Sequence, residues 1–187
     1  NLFVVLLIRT RNNLNKLHAL LVCHVSSDIG IGHLSRLLAL AQELKKDNKI
    51  TPEFLIFGEQ VKKHELSDFN VYYFSISDDL FSTIQEILDD RVFDTLIFDL
   101  HQTNIPNNIG QLFTEIKQRN ICLISIDSLL EYCNILDLLW IPSFNFDCGK
   151  FDDCTAVLNS GWDSFLIQKR LNNKAWSPGK KVLILTG

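Results

Sequence analysis

The chain has 187 residues, 47% of them apolar, and a formal net charge of -4. This is enough for one α/β domain with a substantial core. No run of Lys and Arg exceeds a pair, which argues against nucleic acid as a partner. The apolar stretch Leu2-Phe3-Val4-Val5-Leu6-Leu7-Ile8 is far shorter than the about 20 residues of a bilayer span, so no membrane span is expected. Arg9 and Arg11 follow that run rather than precede it, so it reads as an extra strand or an upstream fragment and not as a signal segment. The sequence contains no Met, so residue 1 reads as an internal position.

In chain order, Leu20-Leu21-Val22-Cys23 reads as a first buried strand. A polar turn, Ser26-Ser27-Asp28-Ile29-Gly30-Ile31-Gly32, follows it. Leu34, Leu37, Leu38, Ala41 and Leu44 then recur at helical spacing. Strands are predicted at Phe54–Gly58 and Val71–Phe74. Asp78-Asp79 offers a helix start for the stripe Leu80, Ile84, Ile87 and Leu88. Thr95–Asp99 is a fourth strand, and Pro106 precedes a helix carrying Ile109, Leu112, Phe113 and Ile116. Ile121–Asp127 and Asp137–Ile141 are the fifth and sixth strands. Ser143 to Asp153 reads as a looser segment whose Phe144, Phe146 and Phe151 pack under a loop, and Trp162 to Leu171 as a short helix. Ser177-Pro178-Gly179-Lys180-Lys181 reads as a linker, and Val182–Gly187 begins another buried strand. Strands alternating with helical patterns imply an α/β fold with a doubly wound, parallel, Rossmann-like sheet. Residues 1–16 are then an extension, 17–176 the domain, and 177–187 the linker and opening strand of a second domain. The alternative for that last strand is an edge position in the first sheet.

Ligands of open α/β sheets bind at the carboxyl ends of the strands. His33 sits at that edge, directly after the Gly30-Ile31-Gly32 turn. An imidazole there can serve as a general base near neutral pH, or simply cap its helix. Gly30 and Gly32 either supply positive φ or let a ligand approach the backbone. Asp99 and Asp127 each end a strand at the same edge, where a carboxylate can bind sugar hydroxyls or merely start a loop. Arg36, one helical turn beyond His33, either serves the site, lies on the surface or pairs with a carboxylate. A dinucleotide fingerprint is the weaker reading, since both a third glycine at that spacing and an acidic residue ending the second strand are missing. Five cysteines without a CxxC pair, Cys148 and Cys154 being separated by five residues, give neither a zinc site nor a disulfide framework. They point to a reduced, cytoplasmic chain, with Cys23 and Cys122 as buried hydrophobes.

The run Ser26-Ser27-Asp28-Ile29-Gly30-Ile31-Gly32-His33-Leu34-Ser35-Arg36, with Leu40-Ala41-Gln42-Glu43-Leu44 behind it, resembles the G-x-G-H-x-x-R…LA…L signature of a GT-B family. That family hydrolyses UDP-2,4-diacetamido-2,4,6-trideoxy-β-L-altropyranose in pseudaminic acid synthesis. Ile97-Phe98-Asp99, Ile124-Ser125-Ile126-Asp127, Asn159 to Ile167 and Lys181 to Gly187 resemble its later segments, in order. The resemblance implies the N-terminal domain of a GT-B fold, with a second domain beyond Gly187. It also implies metal- and cofactor-independent attack of water on a UDP-sugar. His33 would be catalytic, and Ser27, Asp28, Gly30, Gly32, Arg36, Asp99, His101 and Asp127 would bind substrate. The chain departs from the family at Cys23-His24-Val25, at Leu100-His101-Gln102 and at Ser128, on loops that would face the sugar. Related GT-B glycosyltransferases, such as the peptidoglycan N-acetylglucosaminyltransferase, share the turn loosely. A sugar transferase and a non-catalytic nucleotide-sugar or partner-binding domain are therefore the competing expectations.

Overall fold

The computed structural model describes residues 16–143, 146–161 and 164–165. They build one seven-stranded sheet from β1 (Leu17–Val25), β2 (Ile50–Gly58), β3 (Asn70–Phe74), β4 (Thr95–Asp99), β5 (Cys122–Ile126), β6 (Leu138–Ile141) and β7 (Val157–Ser160). The order is β3-β2-β1-β4-β5-β6-β7, and every pairing is parallel. With α1 (Gly32–Lys45), α2 (Leu80–Asp90) and α3 (Ile109–Gln118), this is a Rossmann-like α/β arrangement.

Both faces of the sheet are covered, which is why its strands read as apolar runs. Leu21, Cys23, Phe54, Ile56 and Ile97 pack with the α1 stripe Leu34, Leu37, Leu38, Ala41 and Leu44. Leu20, Val22, Leu55, Phe57 and Phe98 pack on the other face with Ile84 of α2 and Leu112, Phe113 and Ile116 of α3. Asp79 starts α2 as expected, its carboxylate accepting the Ser82 N–H at 2.9 Å.

Three features differ from the sequence expectation. β1 extends past Leu20–Cys23 in both directions, because His18 and His24 interrupt the apolar run without interrupting the ladder. β2 begins four residues before Phe54, at Ile50, and contains Pro52. β3 starts only opposite Glu53, so at Pro52 the strand has a single partner and a missing N–H is tolerated. β7 has no counterpart in the sequence reading, since four residues ending in Asn-Ser carry no periodic signal. It follows β6 through a short 3₁₀ turn at Cys148–Phe151 rather than an α-helix. In that segment Phe151 stacks on Phe146 at 5.1 Å, and Phe146 packs against the core, as expected for loop packing.

The expected strand at Leu2–Ile8, Phe144, most of the helix at Trp162–Leu171, the linker from Ser177 and the strand from Val182 lie outside the described residues. Among the described residues, no helix is long and apolar enough to cross a membrane.

Candidate active site at the carboxyl edge of the sheet

The turn after β1 is built by its own backbone. The Gly30 N–H donates to the Ser26 carbonyl at 2.8 Å, and the Ile29 N–H to Ser26 Oγ at 3.2 Å. Gly30 closes this turn at φ 78°, a conformation that glycine adopts without strain. Gly32 is absent from the positive-φ residues, and a Cβ there would meet nothing within 4 Å. Its sequence reading as a positive-φ turn residue is therefore corrected: Gly32 opens α1 beside free space. Ile31 caps α1 with no side-chain hydrogen bond, so the cap residue's side chain satisfies none of the first-turn N–H groups.

Positions three apart on a helix share a face. His33 and Arg36 accordingly turn together toward Asp99, which the β1–β4 register sets beside Cys23. Asp99 is fully buried and accepts three hydrogen bonds. His33 Nδ1 lies 2.6 Å from its Oδ1, Arg36 Nη2 2.7 Å from the same oxygen, and Arg36 Nε 2.9 Å from Oδ2. Arg36 Nη1 then reaches Asp127 Oδ2 at 2.6 Å. One guanidinium thus bridges the carboxylates that end β4 and follow β5, a geometry that lysine cannot reproduce. Burial disfavours the Arg36 charge, but the hydrogen bonds and charges of Asp99 and Asp127 outweigh it and hold the guanidinium above its ordinary pKa.

This network selects a tautomer. Arg36 Nη2 also lies 3.2 Å from His33 Nδ1. A carboxylate only accepts and a guanidinium only donates. The shorter contact, to Asp99, requires the proton on Nδ1, and the Arg36 contact is then a donor beside a donor. In the neutral ring this tautomer leaves the lone pair on His33 Nε2, the state a general base needs.

His33 lines a cleft of about 300 Å³ with Leu100, His101, Gln102, Asp127 and the loop from Ser128 to Glu131. The His101 ring stands edge-on to His33 at 5.9 Å, with its Nδ1 2.7 Å from Thr103 Oγ1. Asp127 and Leu129 hold positive φ of 61° and 64°. For a residue as bulky as leucine this is uncommon. The loop is pinned by Asp127 N–H donating to the Trp140 carbonyl at 2.9 Å and by Ser125 Oγ donating to the Ser128 carbonyl at 2.6 Å.

Of the sequence candidates, His33, Arg36, Asp99, His101 and Asp127 converge. Ser27 and Asp28 do not join them: both are exposed on the outer turn, with the Ser27 N–H donating to Glu59 Oε1 at 3.1 Å. Sequence reasoning missed Leu129 and Ser125, which shape the cleft wall, and His24. His24 is buried beneath the site with Nδ1 unpartnered. Burial, then the nearby His33 and His101, push its pKa down to about 4. Cys23 is buried too, and its thiol is pushed well above the ordinary range by burial and by the Asp99 charge. A larger cavity, about 420 Å³, opens at the opposite edge between Lys16, Lys45, Ile50 and Asn70. It lies away from the strand ends that gather the imidazoles and carboxylates, so the smaller cleft is the candidate site. Among the described residues, no group of three or more His, Cys, Asp or Glu is placed to hold a metal ion. No protein-family model matches the chain, and no curated protein matches its sequence.

Proposed function

We propose that this chain is the first domain of a GT-B-type, cytoplasmic enzyme that hydrolyses a UDP-sugar, with His33 as the general base. The observation that carries the reading is the 2.6 Å contact between His33 Nδ1 and buried Asp99 at the mouth of a cleft. Water is a poor nucleophile. His33 Nε2 would take its proton as it attacks the anomeric carbon, while Asp99 stabilises the imidazolium that forms.

The composition of the cleft supports a division of labour. Its described lining holds two imidazoles and the carboxylates of Asp127 and Glu131, but no Lys or Arg. Such a wall suits the hydroxyl and amide groups of a sugar better than a diphosphate. The counter-charges for the departing UDP would then come from the opposite wall, a second domain beyond Gly187, with the first-turn N–H groups of α1 as a minor contributor. The departures at His101 and Ser128 line this cleft, so they would set which sugar is accepted.

The test uses the full-length protein and a panel of UDP-sugars, without acceptor or metal, following UDP release. Release that is lost in His33→Ala supports the reading, and release that survives the substitution removes His33 from the mechanism. Turnover that appears only with an acceptor hydroxyl would replace the hydrolase by a glycosyltransferase using the same base. Calorimetric binding without turnover would replace it by a binding domain.

A further inference from the structure

The five cysteines have unequal surroundings. Cys23 and Cys122 are buried in β1 and β5, and Cys148 is exposed with Phe146 O and Ser160 Oγ, the latter at 3.3 Å, beside its sulfur. Cys133 and Cys154 are 21 positions apart, yet they meet on the segments that lead into β6 and β7, both partly exposed. Cys154 Sγ donates to the Cys133 carbonyl at 3.3 Å, which places its thiol beside Cys133. The Ala156 N–H donates to the same carbonyl at 3.0 Å, and the Thr155 N–H to Asn134 Oδ1 at 3.1 Å. A sulfur this close to the partner cysteine's own carbonyl puts the two side chains in one neighbourhood, and a disulfide between them requires Cα atoms about 4.4–6.8 Å apart.

We propose that Cys133 and Cys154 are a reversible dithiol–disulfide pair, a modification site for low-molecular-weight disulfides of the glutathione class. The chemistry is two exchanges. The Cys154 thiolate attacks one sulfur of the small disulfide and expels the first small thiolate. Cys133 then gives up its proton and attacks Cys154 Sγ, expelling the second. Two protein thiols are oxidised to one disulfide, and one small disulfide is reduced to two thiols. The order follows from the surroundings: the neighbouring Cys154 thiol, then burial, push the Cys133 thiol up to about 11, so it keeps its proton longer and acts second. Cys133 also directly follows the 3₁₀ turn Leu130–Tyr132, and Leu129, Leu130 and Glu131 wall the cleft. The bond would fasten that wall to the segment before β7, so oxidation of this pair is a means of changing the cleft.

Incubating the folded full chain with oxidised glutathione, followed by intact mass and non-reducing peptide mapping, tests this. The expected result is loss of about 2 Da, a peptide joining Cys133 to Cys154, and reversal by dithiothreitol. Closure should quicken about tenfold per pH unit between about pH 7 and 9, as the Cys133 thiolate fraction grows. Cys133→Ser should stop at a glutathione adduct on Cys154, and Cys148→Ser should close as the parent does. Closure that survives Cys133→Ser or Cys154→Ser overturns the proposal, as does a parent chain modified at Cys148 alone or not at all.

Discussion

Replacing Asp99 by Asn keeps the size of the side chain and removes its charge at the point where His33 and Arg36 meet. In the parent, all three incoming groups donate: His33 Nδ1 at 2.6 Å, and Arg36 Nη2 and Nε at 2.7 and 2.9 Å. An amide can turn its NH₂ toward either oxygen position, and in both orientations that NH₂ faces a guanidinium N–H. With its oxygen on the His33 side it keeps two of the three bonds; the other way it keeps one and forces His33 to change tautomer. The first orientation therefore wins. A hydrogen bond to a charged group is worth about 1.5–3 kcal/mol, and breaking a buried ion pair costs about 3–5 kcal/mol. Arg36 is 24% exposed and keeps Asp127, so part of that cost is recovered in water. We expect a net loss of about 2–3 kcal/mol in urea unfolding followed by fluorescence. Nitrogen-15 shifts of the imidazole should report Nδ1–H in both proteins, and UDP release should fall in the variant for want of imidazolium stabilisation. A stability change below about 0.5 kcal/mol, or a parent His33 protonated at Nε2 alone, would refute the network as drawn.

Three further outcomes follow from particular residues. His24 has a folded pKa of about 4 against 6.5 unfolded, so between those values the unfolded chain binds more protons. Its contribution is therefore complete above about pH 6.5 and lost as pH falls toward about 4, by about 3 kcal/mol in all; His24→Leu should flatten that part of the urea stability–pH curve. At Gly58, φ is 128° and a Cβ would stand 1.8 Å from the Val25 carbonyl oxygen. Gly58→Ala should cost more than about 3 kcal/mol or prevent folding, read by circular dichroism and urea titration. Gly30→Ala should cost about 1 kcal/mol for its positive φ, whereas Gly32→Ala, at a helix start with open space, should be neutral or up to about 1 kcal/mol stabilising. If Gly32→Ala is stable but slows UDP release, the space beside α1 belongs to the ligand.

The sequence by itself determined the class of the fold. The buried runs of β1, β4 and β5 and the stripe Leu34, Leu37, Leu38, Ala41 and Leu44 announce a parallel sheet covered on both faces, since only burial on both sides calls for continuous apolar runs. It also put His33, Asp99 and Asp127 at one edge, because His33 follows the turn that leaves β1 and the two aspartates end or directly follow such runs. Tertiary structure decided the rest. β7 exists because β6 offers it an edge, a long-range reason that four local residues cannot carry. Ser27 and Asp28 turn outward because the turn is closed by Ser26 and Gly30, whereas Arg36 turns inward because α1 lies across β1 and β4 with that face toward Asp99. Spacing alone left Arg36 undecided between solvent and site, and the same holds for the pairing of Cys133 with Cys154. Partners 21 to 91 positions apart in the chain are chosen by register and crossing, and these appear only once the sheet has formed.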